Sequence, residues 1–291
     1  MKKKLIIIII IIVILVVALA LLLLNNNKTE TVKQKPIKDK QTSETINPLE
    51  TKLKAEKYYI DNNLQRYLNY ANTEEKGELT PAQIISEVNC NLDKTKYEDI
   101  TPTNINHNNL MLVNKYYYLT EDYTPNDLVT LTTKYNTGVN SQMRKEAAEA
   151  FMEMSDAATL DNIIIKNASA YRSYQYQVNL YDRYVERDGQ DAADTYSARP
   201  GFSEHQTGLA TDINQIDNGF EDTDAFRWLQ DNAYKYGFIL RFPKDKENIT
   251  GYQYEPWHYR YVGKEIAKQI KEENITFEEY YAYYIENENN S

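Results

Sequence analysis

The sequence predicts an α+β fold in which a small antiparallel sheet carries the reactive residues and helices flank it. Two observations predict this class. From about residue 109 onward, helical segments alternate with short apolar runs, and the last apolar segments hold two histidines among aromatic and β-branched residues. Such alternation before an antiparallel β region is typical of α+β domains. The predicted folded part, residues 48–284, is long enough for one sizeable core or for a core with a small accessory unit.

An apolar run of twenty residues, 5–24, follows three lysines at the start of the chain. A helix needs about 20 apolar residues to cross roughly 30 Å of bilayer hydrocarbon, whereas a signal-peptide core has about 7–15. We therefore expect residues 1–24 to form cytoplasmic lysines and a single-pass cell-membrane anchor, with the remainder extracytoplasmic by the positive-inside rule. The alternative is secretion after signal cleavage, since Ala18 and Ala20 are small.

Composition describes the segments next to this run and at the other end of the chain. Residues 25–47 are rich in Lys, Thr, Asn and Gln, which predicts a flexible linker. The formal net charge of −10 argues against a nucleic-acid partner. Part of that charge lies in an acidic tail, 271–291, whose interleaved tyrosines favour a last amphipathic helix.

Cys90 is the only cysteine, so no intramolecular disulfide can form, and a packed thiol is expected. The chain is expected to act as a monomer.

A helical preface is predicted over residues 48–100. Apolar spacing without internal proline or glycine predicts one helix over 53–72. Thr80 and Pro81 predict the start of a second helix, because Thr caps an N-terminus and Pro fits the first helical position.

The catalytic domain is predicted over residues 101–270. Its predicted elements are short apolar runs at 110–113, 116–119 and 128–131, a helix at 142–158, a buried strand at 163–165 and a helix at 175–186.

Two segments of this domain hold candidate metal ligands. His205 and Asp212 lie in one segment, and Glu255 and His258 in the other. A catalytic zinc site needs three ligands, an open position for water and a base beside it. With one cysteine in the chain, the ligands must be histidine and carboxylate. The third histidine, His107, lies in an Asn-rich stretch and is predicted to be a surface residue.

The spacing of these residues sets conditions on the backbone. His205 and Asp212 are seven positions apart, which would place them on opposite faces of one straight strand. A bend at Gly208 would bring them together, with Asp212 facing away from the apolar residues on either side of it. Glu255 and His258 are three apart and do not share a strand face, so an irregularity near Pro256 is expected.

The spaced patterns S-x-H-x-x-G-x-A-x-D at 203–212 and E-x-x-H at 255–258 resemble the signature of the VanY-type D-alanyl-D-alanine carboxypeptidase family, zinc peptidases of bacterial cell-wall metabolism. Two further stretches, within 112–128 and 169–177, match the same family in order. The resemblance covers about residues 110–268. One departure is Ala170, where glycine is common in the family.

The resemblance implies a hedgehog/D-Ala-D-Ala-peptidase-like fold and a zinc carboxypeptidase that removes the terminal D-alanine from peptidoglycan stem peptides. It makes the zinc ligands His205, Asp212 and His258, and the general base Glu255. Arg172 matches the arginine that contacts substrate or the developing oxyanion. The matching substrate-binding positions are Arg172, Ser173, Gln177 and Ser203.

Several alternatives stay open at this point. The bond cleaved is either D,D or L,D, the substrate a pentapeptide or a tetrapeptide, and the role wall remodelling or glycopeptide resistance. A peptidoglycan endopeptidase or a non-catalytic protein that binds wall peptides would also fit. Asp217, Asp222 and Asp224 resemble a calcium cluster but lack its loop spacing, so solvated loop carboxylates are expected.

Overall fold

The computed structural model describes residues 47–73, 79–138 and 140–286, which belong to one compact unit. No helix within these ranges is long and apolar enough to span a bilayer. The predicted anchor at 1–24 and nearly all of the predicted linker at 25–47 lie outside the described residues.

The described ranges contain α-helices, strands and short 3-10 turns. The helices are α1 (Pro48–Lys54), α2 (Leu64–Ala71), α3 (Pro81–Asn89), α4 (Lys145–Leu160), α5 (Tyr174–Asp188), α6 (Gln190–Tyr196), α7 (Asp224–Asn232), α8 (Glu247–Thr250), α9 (Lys264–Glu273) and α10 (Phe277–Tyr280). The strands are β1 (Thr101–Pro102), β2 (Tyr117–Tyr118), β3 (Leu128–Thr130), β4 (Gln142–Arg144), β5 (Asn167–Ser169), β6 (Ala210–Ile213), β7 (Phe238–Leu240) and β8 (His258–Tyr261).

The predicted α+β class is confirmed. A four-stranded antiparallel sheet has the order β5-β6-β8-β7, and two smaller sheets pair β1 with β2 and β3 with β4. The largest apolar cluster joins this sheet to α4 and α7. The sheet is therefore held by helices that bury its apolar residues.

The single helix predicted over 53–72 is wrong, because the chain breaks between α1 and α2. Ile60 is extended there, and its N–H donates to the hydroxyl of Tyr67. The side chain of Asn89 on α3 donates to the carbonyl of Tyr58. Hydrogen bonds from neighbouring helices thus satisfy backbone groups that a continuous helix would have paired itself.

The second predicted helix is confirmed as α3. Thr80 and Gln83 form a reciprocal capping box around Pro81 at the first helical position. Its buried face packs on α1 and α2. Cys90, directly after α3, is buried, and burial raises the pKa of its thiol well above the ordinary value. This is the packed thiol that the sequence predicts.

The two helices predicted within residues 101–270 have different outcomes. The helix predicted over 142–158 begins only at Lys145, because Gln142–Arg144 pairs with β3 as an antiparallel strand. The helix predicted over 175–186 is confirmed as α5. The run at 110–113 is mostly buried but forms no strand.

The buried strand predicted over 163–165 is also wrong. Ile164 is 70% exposed. The strand that joins the sheet is β5, which begins at residue 167, two residues after the predicted strand would have ended. The side chain of Asn214 accepts from the N–H of Lys166 and donates to the carbonyl of Ile164. An asparagine side chain therefore takes the place of a strand partner.

The register of the central sheet decides which residues share a face. Asp212 lies opposite His258, and Ala210 lies opposite Arg260. Because strand side chains alternate, Asp212, His258 and Arg260 share one face, while Tyr259 and Ile213 pack in the apolar core on the other. This agrees with the predicted orientation of Asp212.

The C-terminal segment, predicted as an acidic amphipathic helix, contributes to the core. A capping box of Thr276 and Glu279 begins α10, and a π-helical turn, Tyr281–Glu286, follows it. Glu278 is buried and bonds Arg241 through both carboxylate oxygens, at 2.8 and 2.6 Å. His107, predicted to be a surface residue, is only partly exposed and hydrogen-bonds the hydroxyl of Tyr281.

We expect Glu278→Ala to lower the free energy of unfolding by about 3–5 kcal/mol, because it leaves the Arg241 guanidinium buried without its bidentate partner. Urea unfolding measures this cost. The matched control is Glu272→Ala, since Glu272 is an exposed glutamate 3.7 Å from Lys268, and its loss should cost under about 1 kcal/mol. Equal, small effects of both variants would show that the Glu278 pair contributes little.

Candidate active site

A cleft of about 470 Å³ contains most of the residues singled out by the sequence. Its lining comes from the central sheet, from the loop before α5 and from the exposed side of α5. The residues that matter for chemistry are Arg172, Gln177, Ser203, Glu204, His205, Asp212, Glu255 and His258. Segments that are far apart in the sequence therefore meet in one cavity.

The three predicted zinc ligands converge. In the described part of the chain, His205, Asp212 and His258 form the one group of His, Cys or carboxylate residues with converging ligand atoms, all within 4.8 Å of one another. His258 Nδ1 lies 3.1 Å from Asp212 Oδ1, and His205 Nε2 lies 3.5 Å from Asp212 Oδ2. Ligand atoms about 2 Å from one tetrahedral zinc ion are about 3.4 Å apart, so the arrangement fits that ion.

The segment that carries His205 turns sharply before β6. A 3-10 turn, Glu204–Thr207, ends at Gly208, whose φ of +70° is left-handed. A Cβ at Gly208 would lie 2.9 Å from Leu128 Cδ2 and 3.1 Å from Arg144 Cγ. Glycine therefore provides both the conformation and the space for the predicted bend.

His205 is fixed by a backbone acceptor. Its Nδ1 lies 2.7 Å from the carbonyl oxygen of Ala170, which can only accept, so Nδ1 carries the proton and Nε2 faces Asp212. Burial lowers the pKa of His205 to about 4, with the nearby Arg172 charge acting in the same direction. The imidazole is therefore neutral at pH 7, as a metal ligand must be.

The surroundings of His258 and Asp212 favour the charged form of each side chain, whereas those of His205 favour the neutral form. Burial by itself lowers the pKa of His258, but the hydrogen bond to Asp212, the nearby Glu204 carboxylate and the charges of Asp212 and Glu255 raise it to about 9. Burial raises the pKa of Asp212, but His205 and Arg172 hold it well below the usual range. Without metal, His258 and Asp212 form a charged pair in the cleft.

Glu255 lies just outside β8, in the irregular turn that the sequence predicts at Pro256. The N–H of His258 donates to the carbonyl of Glu255, and Glu255 Oε2 lies 3.7 Å from His258 Nδ1. Burial raises the pKa of Glu255 to about 7. A carboxyl group with this pKa can both take up and release a proton near neutrality.

Arg172 reaches the same point from the loop before α5. Its Nε and Nη2 donate to Ser169 Oγ, and Nη2 also donates to Asp212 Oδ2 at 2.5 Å. Among the described residues, Arg172 Nη1 has no hydrogen-bond partner, which leaves a guanidinium N–H for an anionic group in the cleft.

The three other predicted substrate-binding residues differ in position. Ser203 and Gln177 line the cleft, and both are buried. Gln177 donates to the carbonyl of Ala198, which agrees with a role in holding the loop. Ser173 caps α5 by accepting from the N–H of Tyr176, and it is not among the lining residues.

A buried charge cluster that no sequence pattern predicts lies behind His258. Glu204 Oε1 accepts from Arg241 Nε and from Arg260 Nη1, each at 2.8 Å. Both arginines are fully buried. Alternation along β8 predicts that Arg260 faces the same side as His258. No local pattern predicts that its partner is Glu204, which lies 56 residues earlier.

Comparisons with known proteins identify the family. The VanY family, described as D-alanyl-D-alanine carboxypeptidase, matches residues 140–264. The putative carboxypeptidase YodJ of Bacillus subtilis is 49% identical over 183 residues, which cover 60% of this chain and 67% of YodJ. The structure of the LdcB LD-carboxypeptidase is 43% identical, with a TM-score of 0.60, over 65% of this chain and 92% of LdcB. The chain belongs to the VanY family.

The zinc prediction has support from a further structure. A vancomycin-resistance D,D-pentapeptidase VanY from a VanB-type cassette, in complex with Zn(II), is 36% identical with a TM-score of 0.51. The match covers 59% of this chain and 98% of that one. The predicted family, the class of zinc metallocarboxypeptidase and the zinc cofactor are confirmed.

We expect the described unit to bind one zinc ion and His205→Ala to weaken binding by more than the roughly 10–100-fold typical of losing an outer hydrogen-bond partner. The reason is that one of three converging ligands is removed. Competition with a chromophoric chelator measures the dissociation constant. His107→Ala is the control and should bind zinc as the unsubstituted chain does, since His107 lies outside the cleft. Equal binding by both variants would contradict the ligand assignment.

Gly208→Ala should lower the free energy of unfolding by at least about 2 kcal/mol, because it combines left-handed strain with two close contacts. Gly251→Ala is a matched control. Gly251 has a similar backbone conformation, φ 77° and ψ 0°, but its nearest neighbour is the flexible side chain of Lys115 at 3.3 Å. Urea unfolding of the two variants separates strain from crowding. A smaller loss for Gly208→Ala than for Gly251→Ala would be inconsistent with the steric argument.

Proposed function

We propose that this chain removes the terminal D-alanine from peptidoglycan stem peptides, as a D,D- or L,D-carboxypeptidase. The observation that carries the proposal is the convergence of three candidate metal ligands, a buried glutamate and an arginine in one cleft. These groups are the parts that hydrolysis of a C-terminal amide requires: a metal site, a proton carrier and a cation for the anionic end of the substrate.

In this proposal His205, Asp212 and His258 hold zinc, which fits their neutral or anionic donors and their spacing. When bound, a zinc ion would lower the pKa of the attacking water and polarise the scissile carbonyl. Glu255 accepts the proton that the attacking water loses and delivers it to the amine of the departing D-alanine. Burial raises the pKa of Glu255 from its ordinary value, which makes this carboxyl group a better proton acceptor than an exposed glutamate.

Arg172 binds the anionic groups of the substrate and of the transition state. A guanidinium binds a carboxylate or a developing oxyanion with directed, charge-assisted hydrogen bonds. The N–H groups of Arg172 that bond Ser169 and Asp212 fix the side chain, and Nη1 remains for the substrate. Recognition of a free terminal carboxylate by Arg172, assisted by Ser203, would restrict cleavage to the last residue.

The bond cleaved distinguishes two candidates. We favour the L,D bond of a tetrapeptide, since LdcB, an LD-carboxypeptidase, is 43% identical with a TM-score of 0.60. The D,D-pentapeptidase VanY is 36% identical with a TM-score of 0.51. Both structures share the VanY-like fold with this chain, so the preference rests on the degree of similarity.

We also propose that the enzyme acts as a monomer outside the cell membrane, anchored by residues 5–24. The twenty apolar residues after three lysines support the anchor. Secretion after cleavage is the alternative, and fractionation of cells that produce the full chain separates the two.

The zinc-loaded chain from residue 48 onward should release D-alanine from a synthetic stem tetrapeptide. Glu255→Gln should lower kcat by about 10²–10⁴-fold while retaining zinc, because it removes the proton carrier and leaves the ligands in place. Quantifying free D-alanine with tetrapeptide and pentapeptide measures both activity and bond preference.

The control is Glu247→Gln, which changes an exposed glutamate eight residues earlier and should leave kcat unchanged. Release from the pentapeptide alone would make the enzyme a D,D-carboxypeptidase. Zinc binding without release from either peptide would overturn the carboxypeptidase proposal and favour an endopeptidase or a wall-peptide-binding protein.

A further inference from the structure

Two buried polar atoms face each other behind the candidate zinc site. Glu204 Oε2 and His258 Nε2 lie 3.6 Å apart. Among the described residues, neither atom has a partner within hydrogen-bond distance. A buried polar atom without a partner is unfavourable, and a small approach would let His258 Nε2–H donate to Glu204 and satisfy both.

Glu204 is held so that only one of its oxygens faces the histidine. Its Oε1 accepts from Arg241 and Arg260, each at 2.8 Å. Arg260 Nη2 is fixed in turn by the carbonyl oxygens of Asn109 and Met111, at 3.0 and 2.8 Å. With Oε1 engaged twice, the carboxylate cannot rotate without breaking two charge-assisted hydrogen bonds, so Oε2 stays directed at His258.

The C-terminal segment completes this arrangement. Glu278 bonds Arg241 Nη1 and Nη2, and its own exposure is 2%. The cluster therefore contains two guanidinium groups and two carboxylates, and its formal charges balance. A cluster with balanced charges and several charge-assisted hydrogen bonds can stay ionised in the interior, whereas a lone buried carboxylate could not.

The two candidate histidine ligands use opposite ring nitrogens. His205 donates from Nδ1 to a backbone carbonyl and turns Nε2 toward Asp212. His258 turns Nδ1 toward Asp212 and Glu255, at 3.1 and 3.7 Å. If Nδ1 of His258 binds the metal ion, its one remaining ring proton lies on Nε2, where Glu204 is the acceptor.

We propose that Glu204 is a positioning residue for zinc: it accepts the Nε2–H of His258 and so keeps the lone pair of Nδ1 directed at the ion. The inference rests on the zinc site of the proposed function and assigns a role to the residue next to His205. Outer-sphere acceptors of this kind fix the tautomer and orientation of a ligating histidine, and their loss weakens metal binding by about 10–100-fold.

Glu204→Gln tests the role with little change in shape. The glutamine oxygen would take the place of Oε1 between the two arginines, and its NH₂ group would then face His258 Nε2. An NH₂ group donates there, so it favours the tautomer with the proton on Nδ1, which blocks the metal-binding position. We expect the zinc dissociation constant of Glu204→Gln to rise about 10–100-fold in chelator competition.

The matched control is Glu87→Gln, which neutralises another buried glutamate, one that accepts from the hydroxyl of Tyr70 in the helical preface. It should bind zinc as tightly as the unsubstituted chain does, since Glu87 is not among the residues that line the cleft. Circular dichroism of both variants without metal verifies folding. If Glu204→Gln binds zinc as tightly as Glu87→Gln does, the positioning role is wrong.

A second measurement needs no variant at Glu204. The chain has only three histidines, so in ¹⁵N spectra of the zinc-loaded His107→Ala protein every ring signal belongs to His205 or His258. The expected result is one ring with metal on Nε2 and a proton on Nδ1, for His205, and one with metal on Nδ1 and a proton on Nε2, for His258. Metal on Nε2 of both rings would overturn the inference even if Glu204→Gln did not fold.

These outcomes separate the inference from the proposed function. Failure of the unsubstituted chain to bind zinc would overturn the zinc site and the positioning role together. Tight zinc binding that is unaffected by Glu204→Gln would overturn only the role of Glu204 and leave the carboxypeptidase proposal intact.

Discussion

The antiparallel pairing of β6 with β8 is the constraint on which the rest of the site depends. It places Asp212 directly opposite His258, two residues that are 46 positions apart in the sequence. Because side chains alternate along each strand, the same register directs Arg260 to the face of His258 and sends Tyr259 into the apolar core. A slip of one residue would exchange these faces, burying the reactive side chains in the core and exposing the apolar ones. Register is therefore as important to the chemistry as it is to the stability.

The segments that approach this sheet complete what the strands cannot provide. The turn that ends at Gly208 brings His205 back to Asp212, and the turn at Pro256 places Glu255 beside His258 without sharing its strand face. The loop before α5 adds Arg172, which is held by Ser169. The paired strands set the spacing of Asp212 and His258, whereas turns and loops bring His205, Glu255 and Arg172 to the site from other directions. A straight strand alone would not let a histidine seven residues before Asp212 face the same point.

The electrostatics of the site follow from one buried region with balanced charge. His205 is kept neutral by burial and by the neighbouring Arg172, while Asp212 remains ionised. Behind His258, Glu204 and Glu278 alternate with Arg241 and Arg260, so ionised groups remain paired where water is excluded. Replacing such a cluster by apolar residues would not necessarily cost stability, because desolvation offsets much of the attraction. The presence of a charged cluster behind a metal ligand is better explained by its directed hydrogen bonds, which hold Glu204 in place, than by a gain in stability.

The sequence by itself determined the class of fold and the family, and it predicted the candidate zinc ligands and base, because these depend on residue types at fixed local spacings. Thr80 with Pro81 predicts α3, and the spacing of His205, Asp212, Glu255 and His258 predicts a zinc site. Local patterns fail where distant segments bond the backbone: the side chain of Asn214 replaces a strand partner at Ile164, and Asn89 on α3 bonds the carbonyl of Tyr58 where the helix predicted over 53–72 is interrupted. The same reason hides the roles of Glu204 and Glu278, because each of them bonds Arg241 from 37 positions away in the sequence. Only the tertiary structure decides which buried charges meet, because hydrogen bonds between distant side chains leave no periodicity in the chain.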